Sequence, residues 1–264
     1  MSKVKINNLI NYLKDLFPQS NAAEWDKVGF QIEDVYNLPS QDEVENVLVC
    51  MDLTKDALKK AIDKKVNFII TRHPFFFLEK EEELKNPAKK EIFDQLVENQ
   101  IQVYSIHTNY ESSPDNNLMD LIETQFNINE NQKVGEFLEG NKIKLLREIS
   151  LKEVIEKMKF IFGKETTLLT RNSNLENQIK TIYITPGSGA STMVYLHLKD
   201  TVFITGEAKW SEWLYADQNN VDMLVLGHYM ENHFIDDIES KINKTFNGEI
   251  NVYTFDIKNP FKYV

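Results

Sequence analysis

Cys50–Pro74 reads CMDLTKDALKKAIDKKVNFIITRHP, two apolar ends enclosing a charged, helix-forming middle. Val47–Met51 has the composition of a buried strand. Asp52-Leu53-Thr54 then turns the chain into a helix over Lys55–Lys64, and Val66–Thr71 is a second strand ending at Arg72-His73-Pro74. Strand, helix and strand in that order make a βαβ unit with both strands parallel in one sheet. The strands are continuous Val/Ile/Leu/Phe runs, the pattern of strands covered by helices on both faces. In an open α/β sheet the carboxyl ends of the strands are where ligands bind. His73 stands at such an end.

The alternation extends in both directions. Ile6, Leu9, Ile10, Leu13 and Leu16 fall at helical spacing, and Pro18 stops that helix. After Pro74, a helix over Pro87–Asn99 precedes the strand Ile101–Ile106, which ends at His107-Thr108-Asn109-Tyr110-Glu111, read as a loop. Gln132–Ile149 holds short strand-like runs. Ser150–Glu153 is a capping box for a helix over Leu151–Ile161, and Thr166–Thr170 is a short strand. After the polar stretch SNLENQ the alternation resumes. Thr181–Thr185 is a strand, Pro186-Gly187-Ser188-Gly189 a turn into a short helix, and Thr201–Thr205 a strand ending at Gly206-Glu207. The helix Lys209–Asn219, the strand Met223–Leu226 with Gly227-His228, the helix Glu231–Phe246 and the strand Asn251–Phe255 follow. Tyr183–Glu207, YITPGSGASTMVYLHLKDTVFITGE, repeats the plan of Cys50–Pro74 in pattern rather than identity. The expected fold is therefore α/β, with two similar lobes of mostly parallel sheet facing a central cleft and no inserted third domain. Residues 1–125 form the first lobe with its N-terminal helix, 126–250 the second, and 251–264 a strand and tail returning to the first.

Composition narrows the function. The 264 residues carry a net charge of −11, so the basic face that a general nucleic-acid binder needs is not expected. The N-terminal stretch MSKVKINNLINYLKDLF interleaves Lys and Asp with its apolar residues, unlike a signal peptide or a membrane span. A cytoplasmic enzyme or binding protein fits best. Cys50 is the only cysteine, which excludes an intrachain disulfide or a thiolate zinc finger, and its apolar surroundings make it a structural thiol.

Hard metal ions with hydrolytic roles take imidazole and carboxylate ligands. The strand tips offer His73, His107 with Glu111, Glu207, and His228 with Glu231 and Asn232. A lone histidine at a strand end is more often a hydrogen-bonded loop residue than a ligand. Their number matters more, since three of the five histidines close apolar strands. His107 and Glu111 could equally orient each other behind the ligands. His197 and His233 read as ordinary helix residues. The Pro186–Gly189 turn is either a phosphate nest or a bend that needs glycine, and the bend is the stronger reading. Trp25-Asp26 and Phe75–Phe77 are either stacking surfaces for a base or a packed aromatic core, and the core is the stronger.

Taken in order, these segments resemble the dinuclear-metal family known as GTP cyclohydrolase I type 2-like or NGG-interacting-factor-three-like proteins. Ala23–Phe30 (AEWDKVGF) resembles the family's A-x-W-D-N-x-G-L, and Asp52-Leu53-Thr54 its D-x-T. Ile69–Pro74 (IITRHP) resembles I-I-x-H-H-P, His107–Glu111 (HTNYE) resembles H-T-N-x-D, and Asp115-Asn116-Asn117 resembles the following G-N-N. Thr205-Gly206-Glu207 matches T-G-E/D, and Gly227–Asn232 (GHYMEN) resembles G-H-Y-x-S-E. The resemblance runs the whole length and is to the short form of the family. It implies two similar α/β lobes, a toroidal homohexamer and a pair of metal ions. Both histidines of H-H-P, the aspartate of H-T-N-x-D, and the histidine and glutamate of G-H-Y-x-S-E would hold them.

Three of those five positions differ here. The first histidine is Arg72, the aspartate is Glu111, and the final glutamate is Asn232, with Glu231 one place earlier. Glu111 keeps the charge and Asn232 keeps an oxygen donor. A guanidinium cannot ligate a metal and brings a fixed positive charge. The resemblance, so altered, implies at most one divalent ion (zinc, manganese or iron), on His73, Glu111, His228 and Glu231 with Asn232 as the alternative oxygen. Arg72 would pair with Glu111 or with a bound anion. Three functions compete: a metal-dependent hydrolase or cyclohydrolase of a nucleotide-like substrate, with Glu111 or His107 handling protons; a binding protein for an anionic ligand, using Arg72 and Glu207; and an oligomeric scaffold.

Overall fold

The βαβ unit of Cys50–Pro74 forms in the computed structural model, which describes residues 4–32, 43–163, 167–257 and 260–261. Thr166, the first residue of one expected strand, lies outside the described residues, as do Met1–Lys3 and parts of the 251–264 tail. Strand β1 (Val4–Lys5) leads into helix α1 (Ile6–Leu16), which buries Leu9, Ile10 and Leu13 on one stripe. Strands β2 (Gly29–Phe30) and β3 (Glu43–Val44) precede β4 (Asn46–Cys50). Thr54 caps helix α2 (Lys55–Asp63) by accepting from the Ala57 amide at 3.2 Å, and β5 (Phe68–Thr71) follows. After the short α3 (Lys80–Glu83), Asn86 caps α4 (Pro87–Glu98), whose proline sits in the first turn. Strand β6 (Gln102–Ser105) ends in α5 (Thr108–Ser112), one helical turn where a loop was expected, and α6 (Leu118–Glu123) comes next.

The strand-like runs of Gln132–Ile149 are two long strands, β7 (Ile128–Val134) and β8 (Gly140–Ser150). Ser150 accepts from the Glu153 amide and starts α7 (Leu151–Phe162). Then come β9 (Leu168–Leu169), β10 (Gln178–Thr185), α8 (Ala190–Tyr195), β11 (Thr201–Thr205), α9 (Trp210–Gln218) and β12 (Val221–Val225). A 3-10 turn over His228–Asn232 leads into α10 (His233–Phe246) and β13 (Asn251–Phe255). His197 lies past the end of α8, in a turn at φ 51°, rather than in a helix. No helix of the described residues is long and apolar enough to cross a membrane.

The chain divides into two compact units, Met1–Asn116 with Phe234–Val264, and Asn117–His233. In the first, the strand order is β13-β4-β5-β6-β2, with parallel pairing from β13 to β6 and β2 antiparallel at the edge. Successive side chains point to opposite faces. Val47, Val49, Phe68, Ile70 and Tyr104 pack against α1 and α10, while Leu48, Cys50, Ile69 and Val103 pack against α2 and α4. Both faces are covered, which is why the strands lack polar alternation. Cys50 is enclosed, and burial pushes its thiol pKa up, away from reactivity. The unit boundaries fall at 116/117 and 233/234, against the expected 125 and 250. Phe234, Ile235, Ile238 and Ile242 of α10 belong to the core that α1 lines, so that helix stays with the first unit.

The second unit has the order β7-β8-β10-β11-β12-β9. Only β10-β11-β12 are parallel; β7, β8 and β9 pair antiparallel, so this sheet is mixed rather than mostly parallel. The alternation in Asn141–Leu145 explains it: Ile143 and Leu145 are buried while Lys142 and Lys144 are exposed, the signature of a strand with one wet face.

Candidate functional site

In the first unit, three strand tips and the N-terminal loop converge. The ladder continues past β5, with the Arg72 amide donating to Cys50 O and the His73 amide to Met51 O, both at 3.0 Å. Beyond β6, the Ile106 amide donates to Thr71 O at 2.9 Å, so His107 emerges beside Arg72 and His73. The Thr71 and Ser105 hydroxyls meet at 2.6 Å beneath them.

Arg72 is buried, 1% exposed, and its side chain is spoken for. One guanidinium nitrogen donates to Glu111 Oε1 at 2.6 Å, another to His107 O, and the guanidinium carbon lies 5.4 Å from the centre of the Tyr110 ring. Glu111 is 7% exposed. Tyr110 is held in turn, donating to Asp237 Oδ2 at 2.8 Å, and Asp237 pairs with Lys241. Of the two roles open to Arg72 in the sequence, this geometry favours the pair with Glu111.

His73 Nδ1 lies 2.9 Å from Asp52 Oδ1, an arrangement that fixes the ring and its tautomer. His107 Nδ1 lies 3.0 Å from Asp26 Oδ1, while Asp26 Oδ2 accepts from the Thr108 amide at 3.0 Å and hydroxyl at 2.5 Å. Burial, with the Arg72 charge, outweighs the attraction of Asp26 and holds the His107 pKa below the usual imidazole value, so the ring is neutral at pH 7. Burial alone would raise Asp26. The hydrogen bonds from His107 and Thr108 overcome it, and the Asp26 pKa lies below the ordinary carboxylate value. Phe75 and Phe76 are buried as a core reading requires, but Phe77 and Trp25 are 44% and 58% exposed and stand edge-on to His107, each 5.9 Å from it between ring centres.

In the second unit, three glycines close the ends of the parallel strands. Gly187 O accepts from the Gly206 and Glu207 amides at 2.9 Å, and Gly206 O accepts from the Gly227 amide at 3.0 Å. A Cβ on Gly206 would sit 2.8 Å from Gly187 O. Gly187 has φ +60°, and a Cβ there would lie 2.5 Å from Glu231 Oε1. The Pro186–Gly189 turn therefore needs glycine for backbone reasons, and the Ser188 hydroxyl goes to Glu207 Oε2 at 2.8 Å. On this floor His228 stands between two carboxylates, Nδ1 3.3 Å from Glu207 Oε2 and Nε2 3.0 Å from Glu231 Oε2. Residues i and i+3 align in a 3-10 turn, so Glu231 faces His228. Asn232, at i+4, donates instead to Tyr229 Oη at 3.2 Å.

The expected residues thus fall into two sets, Arg72, His73, His107 and Glu111 in the first unit and Glu207, His228 and Glu231 in the second. Asp26 and Asp52 were absent from the expected site. Asp52, directly after an apolar strand, carried a positional signal; Asp26 had only its place in the W-D pair. Residues 4–260 match the Duf34/NIF3 (NGG1p interacting factor 3) family. A GTP cyclohydrolase 1 type 2 homolog of Mycoplasmopsis pulmonis is 31% identical over 250 residues, covering 94% of this chain and 96% of that protein. The NIF3-like protein 1 of Drosophila melanogaster is 25% identical over 261 residues, covering 96% and 87%. Among solved structures, a Staphylococcus aureus hypothetical protein matches all of both chains with a TM-score of 0.81 at 24% identity. A Bacillus cereus protein related to NIF3 also covers both chains fully, with a TM-score of 0.81 at 15% identity, so the fold is shared. The full-length family match and the curated relative at 31% identity place this chain in the Duf34/NIF3 family.

Proposed function

We propose that this protein is a metal-dependent hydrolase of a nucleotide-like substrate, working with at most one divalent ion (zinc, manganese or iron) rather than two. The buried Arg72–Glu111 pair carries this reading. A guanidinium cannot ligate, and it already neutralises the carboxylate that a second ion would need. Donors for one ion remain in the second unit, where His228 and Glu231 offer an imidazole and a carboxylate suited to zinc, manganese or iron. Glu207 orients that imidazole, as carboxylates beside metal-ligating histidines do.

Such an ion supplies Lewis-acid polarisation and lowers the pKa of water. The chain's own groups do the rest. His107, neutral and pinned at Nδ1 by Asp26, takes up a proton at Nε2 as a general base. Glu111 balances Arg72 and is a poor base while it does so. The name of the Mycoplasmopsis relative, a GTP cyclohydrolase 1 type 2 homolog, supports a purine nucleotide as the substrate class. A cytoplasmic homohexamer is part of the same reading. Protein purified without chelator and analysed by ICP-MS should hold one equivalent of metal or less, and should turn over GTP or a simple phosphoester with added Mn²⁺ or Zn²⁺. Two tightly held equivalents refute the one-ion site, and absence of turnover refutes the hydrolase. Native mass spectrometry tests the hexamer.

A further inference from the structure

The feature of the first unit that the proposed chemistry leaves unused is the aromatic pair around His107. Trp25 and Phe77 are 58% and 44% exposed, and both rings meet one imidazole. Neither is a loose loop tip. The turn carrying Trp25 is closed by the Asp26 amide donating to Ala23 O at 2.9 Å, and it is tied to α5 through Ala23 N, Asp26 and Thr108. Phe77 and Leu78 donate their amides to Glu83 Oε1 at 2.7 and 2.9 Å. Lys27 bridges the two segments, donating to Leu78 O at 2.9 Å and Glu79 Oε1 at 2.6 Å. The backbone that carries both rings is already braced, so a ligand does not have to order it.

His107 stands beside both rings, its Nδ1 engaged with Asp26 and its Nε2 kept for the proton transfer proposed above. We infer that Trp25 and Phe77 form a recognition subsite for a flat heteroaromatic ring, the nucleobase of a nucleotide, next to that general base. The inference rests on the nucleotide-like substrate class proposed above and adds the part of the substrate that gives affinity. Every base has a π-face, so the pair supplies binding with little choice among bases, and choice must come from the edge.

The test is isothermal titration of the full chain with GMP and, as the ring-free control, ribose 5-phosphate. GMP should bind at least tenfold more tightly than ribose 5-phosphate. Trp25→Ala and Phe77→Ala should each weaken GMP about tenfold and leave ribose 5-phosphate unchanged, while Trp25→Phe keeps most of the affinity. Equal affinity for the two probes, binding of neither, or unchanged GMP affinity in Trp25→Ala overturns the subsite. Metal content measured on the same preparations separates the two proposals. Ring-dependent binding by a chain that neither takes up added Mn²⁺ or Zn²⁺ nor turns over GTP refutes the metalloenzyme and leaves the subsite standing. A Trp25→Ala chain that has lost its ion as well refutes a stacking role.

Discussion

Replacing Arg72 by methionine leaves Glu111 as a buried carboxylate without its cation. The pair is 1% and 7% exposed, so solvent screens little of the interaction. Breaking a buried pair by removing one partner costs about 3–5 kcal/mol, because the surviving charge is uncompensated. For a chain of this size that lowers the melting midpoint by roughly 10 °C. Glu111→Leu strands the guanidinium and should cost a similar amount. The double variant removes both charges, and replacing a buried pair by apolar groups is often close to neutral. It should therefore recover to within about 1 kcal/mol of the parent, a coupling of about 5 kcal/mol or more. Urea denaturation followed by tryptophan fluorescence reads all four corners of the cycle. Additive single effects, or single losses under about 1 kcal/mol, would show that Arg72 and Glu111 do not stabilise one another as the geometry requires.

Acid should weaken the first unit in two steps. His107 is held neutral, so its contribution is present above its unfolded pKa of about 6.5 and is lost as pH falls below that value; Asp26 follows as pH falls below about 3.8. An NMR titration should place the His107 midpoint below 6.5, lower still in Asp26→Asn, and a midpoint above 6.5 contradicts the assignment. Gly187→Ala combines a positive φ with a Cβ 2.5 Å from Glu231 Oε1, so it should destabilise the second unit by about 1–3 kcal/mol and reduce metal retention. Unchanged metal content there would mean that Glu231 is not held by this turn. Glu231→Gln should lose the ion while Asn232→Ala keeps it; the reverse result would return the ligand role to Asn232.

Much of the architecture could be read from residue order. Parallel strands buried on both faces have no choice but to be continuous apolar runs, so Val47–Met51 and Val66–Thr71 announce themselves, and the tips that bear His73, His107 and His228 follow. The stripe on α10 says that one face is buried but not against which sheet, and only packing shows that Phe234 and Ile238 join the first unit's core. Glu231 and Asn232 are separated by the pitch of one turn. An α-helical reading sets i+4 beside His228, whereas the 3-10 turn over 228–232 sets i+3 there. Asp26 meets His107 from a distant part of the chain, and no periodicity marks such a contact. Trp25 and Phe77 look like core residues by type, and only their exposure reveals otherwise.

A one-ion site is tested most directly by anomalous diffraction from crystals grown with Mn²⁺. No more than one anomalous peak per chain is expected, beside His228 and Glu231, with Arg72 still paired to Glu111. Two peaks per chain, with the guanidinium swung away and Glu111 bound to an ion, would contradict it.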